Sequence, residues 1–486
     1  MWVLKMDLPR TKAEVKGLMC CCLCVMLVSA VPRHAKFFAT CLRHSLLSRT
    51  RRSCDAIFKR TIMDSQVKSP VFDLSNYNCI GFDLDNTICR YKTTNLAILE
   101  YEALSKYLTS QKNYSAEALL RPIDFDFLQR GLFLDFDKGN ILRVTETGYV
   151  WKASHGTRPL SEAEIVAAYG KDRIWDVATT FGKDPLATWN GPLSEKMRSL
   201  LDYFDMPSSL IFARIIDDID KRNGGPLKEP YKIWPDILDG LVYMFDKSNF
   251  VSDDPSNYFG SLQGNPSKYV NPCSPEAIEW LRKLKESNKV SFLITGSHID
   301  FASFTATNCL GPNWRDLFDI VISFARKPFF FLGNRPFLQL NGAVEGDPIT
   351  DVSTLTQDFV SVSQGNWQEL QQILRSRLGG ADPHCLYIGD NVVQDLVAPA
   401  QHTSCHTLAL TEELWAEDGD HPDKALLVSK FWGSYFGTAE IPSLWHSFMI
   451  KNSQLIVPNF DTITSIPLNE PVPVGYYPKP PNSLQK

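Results

Sequence analysis

Gly81-Phe82-Asp83-Leu84-Asp85-Asn86-Thr87 decides the fold of this chain. The run leading into it, Cys79-Ile80-Gly81-Phe82, reads as a short strand buried in a parallel sheet. Side chains at i and i+2 leave an extended backbone on the same side, so Asp83 and Asp85 can face one ligand. They stand at the carboxyl edge of the strand, where open α/β sheets bind ligands. Two close carboxylates repel each other unless a proton or a cation intervenes. Oxygen-only ligation by a few carboxylates suits Mg²⁺ shared with phosphate oxygens.

Three further apolar runs end in the same kind of chemistry. Val290-Ser291-Phe292-Leu293-Ile294 stops at Thr295-Gly296-Ser297, where a hydroxyl can donate to a phosphoryl oxygen and the bare backbone can approach it. Phe318-Asp319-Ile320-Val321-Ile322-Ser323 is followed by Lys327, whose ammonium would neutralise charge on a transferring phosphoryl group. Cys385-Leu386-Tyr387-Ile388 ends in Gly389-Asp390-Asn391, with Asp395 five residues after Asp390, and these carboxylates would complete an acidic metal site. Taken singly, each has a plainer reading. A strand-end aspartate is commonly a cap, Thr295 a turn hydroxyl and Lys327 a solvated lysine. Four in order, each closing an apolar run, point jointly to one site.

This ordered set resembles the haloacid dehalogenase superfamily, whose phosphatase branch carries the second aspartate of the first motif, here Asp85. Arg90-Tyr91, Ala325-Arg326-Lys327-Pro328-Phe329-Phe330 and Tyr387-Ile388-Gly389-Asp390 are similar to the IMP/GMP-type cytosolic 5′-nucleotidase family, a resemblance that covers residues 76–436. Ser154-His155-Gly156-Thr157 and Trp432-Gly433-Ser434 are similar to one branch of that family. The resemblance implies a doubly wound, parallel, Rossmann-like α/β sheet with a large, mainly helical C1 cap inserted after the first strand. It implies a Mg²⁺-dependent phosphomonoester hydrolase, a 5′-nucleotidase acting on nucleoside monophosphates through an aspartyl-phosphate. The rivals are a phosphatase for another small phosphomonoester and a catalytically silent binding protein of the same fold. Asp83 is then the nucleophile and Asp85 the general acid and base, with Thr295, Gly296 and Lys327 around the phosphate. The metal falls to Asp83, to Asp85 through its backbone carbonyl, to Asp390, and to Asp395 either directly or by orienting a bound water. Relatives of this kind often form homo-oligomers.

A chain of 486 residues with 44% hydrophobic content can bury one core domain and a substantial insertion. Thr295 stands 210 positions after Asp85, against 32 from Thr295 to Lys327, so the insertion falls between the first two motifs. The core is expected over 67–95 and 274–445, the cap over 96–273, and a tail over 446–486 that is Pro-rich from Pro467. Helices are expected at 96–109, 161–170, 193–203, 208–221 and 234–245, and Ser274-Pro275 opens another over 277–286. Asp135-Phe136-Asp137-Lys138-Gly139-Asn140 fits a hairpin turn between 132–136 and 141–144 better than a calcium loop. His155 is a substrate contact from the cap or a histidine bonded within a loop. If residues 231–245 form the cap helix over the site, the inward-facing Leu238, Val242 and Phe245 would discriminate a purine edge weakly.

Net charge of −5 and a pI near 6.0 do not suggest a nucleic-acid partner, and none is expected. The charge is uneven, because residues 1–62 hold 12 Lys and Arg against 3 Asp and Glu. Lys5, Arg10, Lys12 and Lys16 precede an apolar run over 17–31 that ends near a signal-like Val28-Ser29-Ala30, and residues 33–60 are basic in the manner of a mitochondrial presequence. Met63 offers an alternative start. A cytoplasmic protein is the leading expectation, with mitochondrial, secretory or membrane-anchored forms as alternatives carried by residues 1–62. Six of the 12 cysteines lie in that segment and the others are scattered without a CxxC pair, which suits a reducing compartment.

Overall fold

The computed structural model describes residues 71–187, 191–252 and 254–473. Expectations on residues 1–62 and on the chain beyond 473 lie outside these residues. β1 (Val71–Phe72) leads into β2 (Cys79–Phe82). Five strands follow before the chain returns to the central sheet: β3 (Leu132–Asp135), β4 (Asn140–Val144), β5 (Val150–His155), β6 (Arg158–Pro159) and β7 (Met197–Leu200). Then come β8 (Val290–Ile294), β9 (Ile320–Ser323), β10 (Phe337–Asn341), β11 (Val344–Pro348), β12 (Val360–Gln364), β13 (Cys385–Gly389), β14 (His406–Leu410) and β15 (Leu455–Val457). The last strand, β16 (Val472–Pro473), pairs antiparallel with β1.

The central sheet has the order β11-β10-β12-β9-β8-β2-β13-β14-β15. It is parallel from β12 to β15, and the β10–β11 hairpin adds an antiparallel edge. Its strands read as continuous apolar runs because both faces are covered. Ile80, Phe82, Leu293 and Val321 point into one core with Trp280, Leu281 and Leu284 of the helix Pro275–Glu286. Cys79, Phe292, Ile322 and Val362 point into the other with Leu370, Ile373 and Leu374 of the helix Trp367–Arg377. This is an α/β fold wound on both faces. β2 needs a glycine at its centre, since a Cβ on Gly81 would lie 2.1 Å from the Phe292 ring. The helix Pro275–Glu286 starts as its sequence dictates: Ser274 Oγ accepts from Ala277 N–H at 3.1 Å, with Pro275 in the first turn.

Between β2 and β8 the chain builds a second, antiparallel sheet of order β6-β5-β4-β3-β7, flanked by the helices Thr93–Gln111, Ser208–Asn223 and Trp234–Met244. The β3–β4 hairpin forms, and Asp135 Oδ1 accepts from the N–H groups of Asp137 and Lys138 as an ordinary turn residue. The helix expected at 193–203 does not form. A short 3₁₀ turn, Pro192–Glu195, is followed there by β7, which pairs with β3. The helix Trp234–Met244 buries Ile237, Leu241 and Met244, while Leu238 and Val242 are only half-buried. Tyr91 and Val270 pair where the insertion leaves and rejoins the core, with Lys92 N–H donating to Tyr269 O at 2.7 Å and Asn271 N–H to Arg90 O at 2.9 Å.

The segment from 446 is not a tail over its described length. β15 is the last parallel strand of the central sheet, and the helices Leu444–Asn452 and Phe460–Thr464 pack on it and its neighbours. The stretch just before it clamps the insertion. Trp432 Nε1 donates to Phe127 O at 2.6 Å, Gln129 Nε2 to Gly433 O at 2.7 Å, Arg143 to the carbonyls of Trp432 and Tyr435, and Trp445 Nε1 to Gly131 O at 2.7 Å. Among the described residues, no helix is long and apolar enough to cross a membrane.

Candidate active site

The ends of β2, β8, β9 and β13 meet at the carboxyl edge of the central sheet. Asp83 N–H donates to Ile388 O at 2.8 Å, extending the β2–β13 ladder by one residue and fixing Asp83 at the edge. Lys327 arrives from a tight turn in which Phe324 and Arg326 adopt left-handed backbone, with φ of 46° and 50°. Such conformations cost non-glycine residues on the order of 1–3 kcal/mol and persist where surrounding bonds enforce them. Here Phe324 N–H donates to Ser297 O at 2.8 Å and Ala325 N–H to Thr295 O at 3.0 Å. Lys327 Nζ then lies 2.8 Å from Asp83 Oδ1 and 2.6 Å from Asp395 Oδ1, and donates to Tyr387 Oη at 3.1 Å. Burial works against the ammonium, but Asp395 and Asp83 outweigh it and hold its pKa well above the ordinary lysine value.

Asp83, Asp390 and Asp395 are all buried, and one oxygen from each lies within 4.8 Å of the others. Asp395 sits in a π-helical turn, Val392–Val397, whose start Asn391 caps by accepting from Gln394 N–H at 3.1 Å. Its Oδ2 accepts from Asn391 N–H at 3.1 Å. Gly389 makes room for it, because a Cβ there would lie 2.4 Å from Asp395 Cβ. Burial pushes the Asp395 carboxyl up to about 6, with Lys327 opposing and Asp83 reinforcing. Burial also raises Asp390 well above the usual carboxylate range, against the pull of Arg130. Three buried carboxylates converging this closely form an oxygen-only donor set that fits a hard divalent cation.

Asp85 is placed differently from the other expected ligands. Its side chain stands outside the three-carboxylate group, with Oδ1 accepting from Tyr91 Oη at 2.7 Å and Oδ2 from Ser297 Oγ at 2.7 Å. Burial raises its pKa. Thr295 is fully buried, and its hydroxyl accepts from Ser297 N–H at 3.0 Å. The pocket wall at that strand end is Gly296. Asp83, Asp85, Lys327, Asp390 and Asp395 line the same pocket, joined by Asp202, Asn391 and Gln394. Its volume is about 20 Å³.

His155 is not part of this site. Its Nδ1 lies 2.8 Å from Asn140 Oδ1 and its Nε2 2.7 Å from Asp220 Oδ2, so both ring nitrogens are engaged inside the insertion. Sequence reasoning missed Asp202, which lies just past β7 in the stretch expected to be helical. It also assigned no role to Asn391 and Gln394, although both fall inside the stretch it read from Asp390 to Asp395. Arg130, from the loop before β3, was missed as well. Its Nη1 lies 2.9 Å from Asp390 Oδ2 and its Nη2 2.8 Å from Glu413 Oε2.

Known proteins match this chain along the same residues. The model of the 5′ nucleotidase family matches residues 70–421. The chain is 30% identical over 450 residues to "5′-nucleotidase domain-containing protein 1" of Bos taurus, covering 84% of this chain and 96% of that one. The Homo sapiens protein of the same name is likewise 30% identical, over 453 residues with the same coverage. "5′-nucleotidase domain-containing protein 2" of Homo sapiens is 25% identical over 364 residues, covering 71% of this chain and 62% of that one. The match begins one residue before β1, runs through all four strand ends and extends past Glu413, so the chain that builds this carboxylate pocket belongs to the 5′-nucleotidase family.

Proposed function

We propose that this chain is a Mg²⁺-dependent phosphomonoester hydrolase, a 5′-nucleotidase that acts on nucleoside monophosphates through an aspartyl-phosphate on Asp83. The observation that carries this reading is the bridge made by Lys327 between Asp83 and Asp395, with the Asp390 carboxylate alongside. Asp83, Asp390 and Asp395 would hold Mg²⁺, which would balance their charge and that of the phosphoryl oxygens. Asp83 attacks phosphorus from the end of β2, and Lys327 offsets charge that develops on the phosphoryl group. Gly296 leaves backbone open to a phosphoryl oxygen, with Thr295 bracing that turn through Ser297. Asp85, whose pKa burial raises and which Tyr91 and Ser297 hold in place, gives a proton to the departing alkoxide and then takes one from the attacking water.

Small-molecule sites usually enclose ~300–1,000 Å³. The pocket here has about 20 Å³, room for an ion or a water, so a nucleotide requires the insertion to act as a moving cap. The same closeness supports a second reading, a phosphatase for a smaller phosphomonoester. The six cysteines among the described residues are free thiols, which supports a cytoplasmic home.

The test is phosphate release by the full chain with Mg²⁺, over nucleoside monophosphates and sugar phosphates, with Asp83→Asn alongside. Selective turnover of one nucleotide is the expected result. Turnover of sugar phosphates alone would favour the second reading. Equal release by Asp83→Asn would remove Asp83 as the nucleophile.

A further inference from the structure

Among the described residues, Arg130 is the cation of the insertion that pairs with a carboxylate of the pocket. Its guanidinium is almost completely buried, with 1% of the side chain exposed. One arm meets Asp390 Oδ2 at 2.9 Å, and the other meets Glu413 Oε2 at 2.8 Å and Thr411 Oγ1 at 3.1 Å. Its carbon centre lies 4.4 Å from the Tyr203 ring and 5.4 Å from the Tyr435 ring, so the group is clasped between an aromatic of the insertion and one of the clamping segment. Thr411 and Glu413 fall just past β14, and Asp390 just past β13. Arg130 therefore spans two neighbouring strand ends of the core from outside it.

We propose that Arg130 is a positioning residue for Asp390, fixing one carboxylate oxygen so that the other is presented to Mg²⁺. This deepens the functional reading above and rests on it. A planar fork suits the task, because two N–H directions are set at once and a lysine ammonium cannot copy both. Removing the outer partner of a metal-binding side chain commonly costs ~10–100-fold in metal affinity. The rest of the seam between insertion and core bonds mostly to backbone carbonyls, as Trp432, Gln129, Arg143 and Trp445 do. Arg130 departs from that pattern by holding a side chain of the site. Because it belongs to the insertion, the geometry of Asp390 depends on how the insertion sits.

The experiment is calorimetric titration of Mg²⁺ into the full chain, wild type against Arg130→Met, Arg130→Lys and Glu413→Gln, with thermal melts of each. Arg130→Met is expected to weaken Mg²⁺ binding ~10–100-fold. Arg130→Lys should weaken it by less, and Glu413→Gln should stay within about threefold because the Asp390 arm survives. In turnover, the Arg130 variants should need more Mg²⁺ for half-maximal rate and recover kcat when it is saturating. A purely structural arginine would lower the melting temperature and leave the Mg²⁺ affinity of the folded protein unchanged, which would overturn the proposal. If Arg130→Met does not fold, unchanged affinity in Arg130→Lys or an equal loss in Glu413→Gln overturns it. Absence of Mg²⁺ binding by the wild type would overturn the metal reading itself, a result distinct from variants that bind as well as wild type.

Discussion

Replacing Gly389 with alanine puts a methyl group where Asp395 already stands. The added carbon would lie 2.4 Å from Asp395 Cβ, 2.5 Å from its Cγ and 2.7 Å from its Oδ2. Carbon contacts settle at ~3.5–4.0 Å, so one partner has to retreat by about an ångström. Asp395 has no free direction, being fully buried and tied to Lys327 at 2.6 Å and to Asn391 N–H at 3.1 Å. Overpacking of this kind costs ~1–3 kcal/mol of stability. A displacement of about 1 Å at a reacting centre costs on the order of 10²-fold in rate. The expected outcome is a folded Gly389→Ala protein with a lower urea midpoint and kcat/KM reduced about 100-fold. Gly264→Ala is the control, since a Cβ at that helix end meets nothing within 4 Å; kcat/KM should hold and the urea midpoint should not fall. The assays are phosphate release with Mg²⁺ and unfolding followed by circular dichroism. Wild-type turnover in Gly389→Ala would show that the site tolerates Asp395 elsewhere, and the link between this glycine and the carboxylate cluster would fail.

His155→Phe tests the histidine that the structure removes from the site. It removes the partner of Asn140 Oδ1 and of Asp220 Oδ2, while Tyr169 and Tyr231 still hold the other ends of those side chains, so the melting temperature should fall, with a cost of ~1–3 kcal/mol, while kcat and KM stay close to wild type. A large rise in KM in a folded variant would return His155 to the substrate. Asp205 gives a pH test away from the metal ligands: burial pushes its carboxyl up to about 7, against the pull of Arg198. Its folded pKa lies above its ordinary value, so its contribution to stability is complete below ~4 and is lost as pH rises through about 7. Asp205→Asn cannot ionise and should show a flatter stability profile between pH 5 and 8, with the wild type losing ~3 kcal/mol more than the variant across that range. Urea midpoints across that range would settle it, and parallel profiles for the two proteins would rule it out.

The sequence made legible what is local to each strand end. Asp83, Lys327, Asp390 and Asp395 each follow an apolar run within a few residues, and the structure brings all four together. What it hid depends on distant pairing. Leu193, Met197, Leu200 and Leu201 fall at helical spacing and are all buried, yet the ladder to β3 turns the second half of that stretch into a strand. Asp202 follows directly, so misreading the strand concealed a carboxylate of the pocket. Arg130 sits 260 positions from Asp390 and 283 from Glu413, with no local pattern to mark it. β15 was lost to the tail because three apolar residues, Leu455–Val457, carry too little periodicity to stand out beside a Pro-rich end. The helix Trp234–Met244 differs from its expectation in the face it buries. Its burial follows Ile237, Leu241 and Met244, the face that meets Thr93–Gln111, so that part of its apolar character serves packing.

Closure of the insertion and the chemistry of Asp85 are one physical matter. Burial is the foremost reason that Asp85 holds a raised pKa, and part of its cover is Tyr91, which lies on the connector where the insertion departs and pairs with Val270 on the connector that returns. A carboxyl in a dry pocket keeps its proton and can donate it, whereas the same group reached by water releases it. Movement of the insertion to admit a substrate would hydrate Asp85 and lower its pKa, and reclosure would restore the acid form. Lys327 responds in the opposite sense only weakly, because its charge is held by Asp395 and Asp83 within the core. The charge of Lys327 is therefore held by the central sheet, whereas the burial of Asp85 depends in part on Tyr91 at the root of the insertion. On the proposed mechanism, that division would let one closing motion exclude water and return Asp85 to its acid form while the charge of Lys327 stays in place.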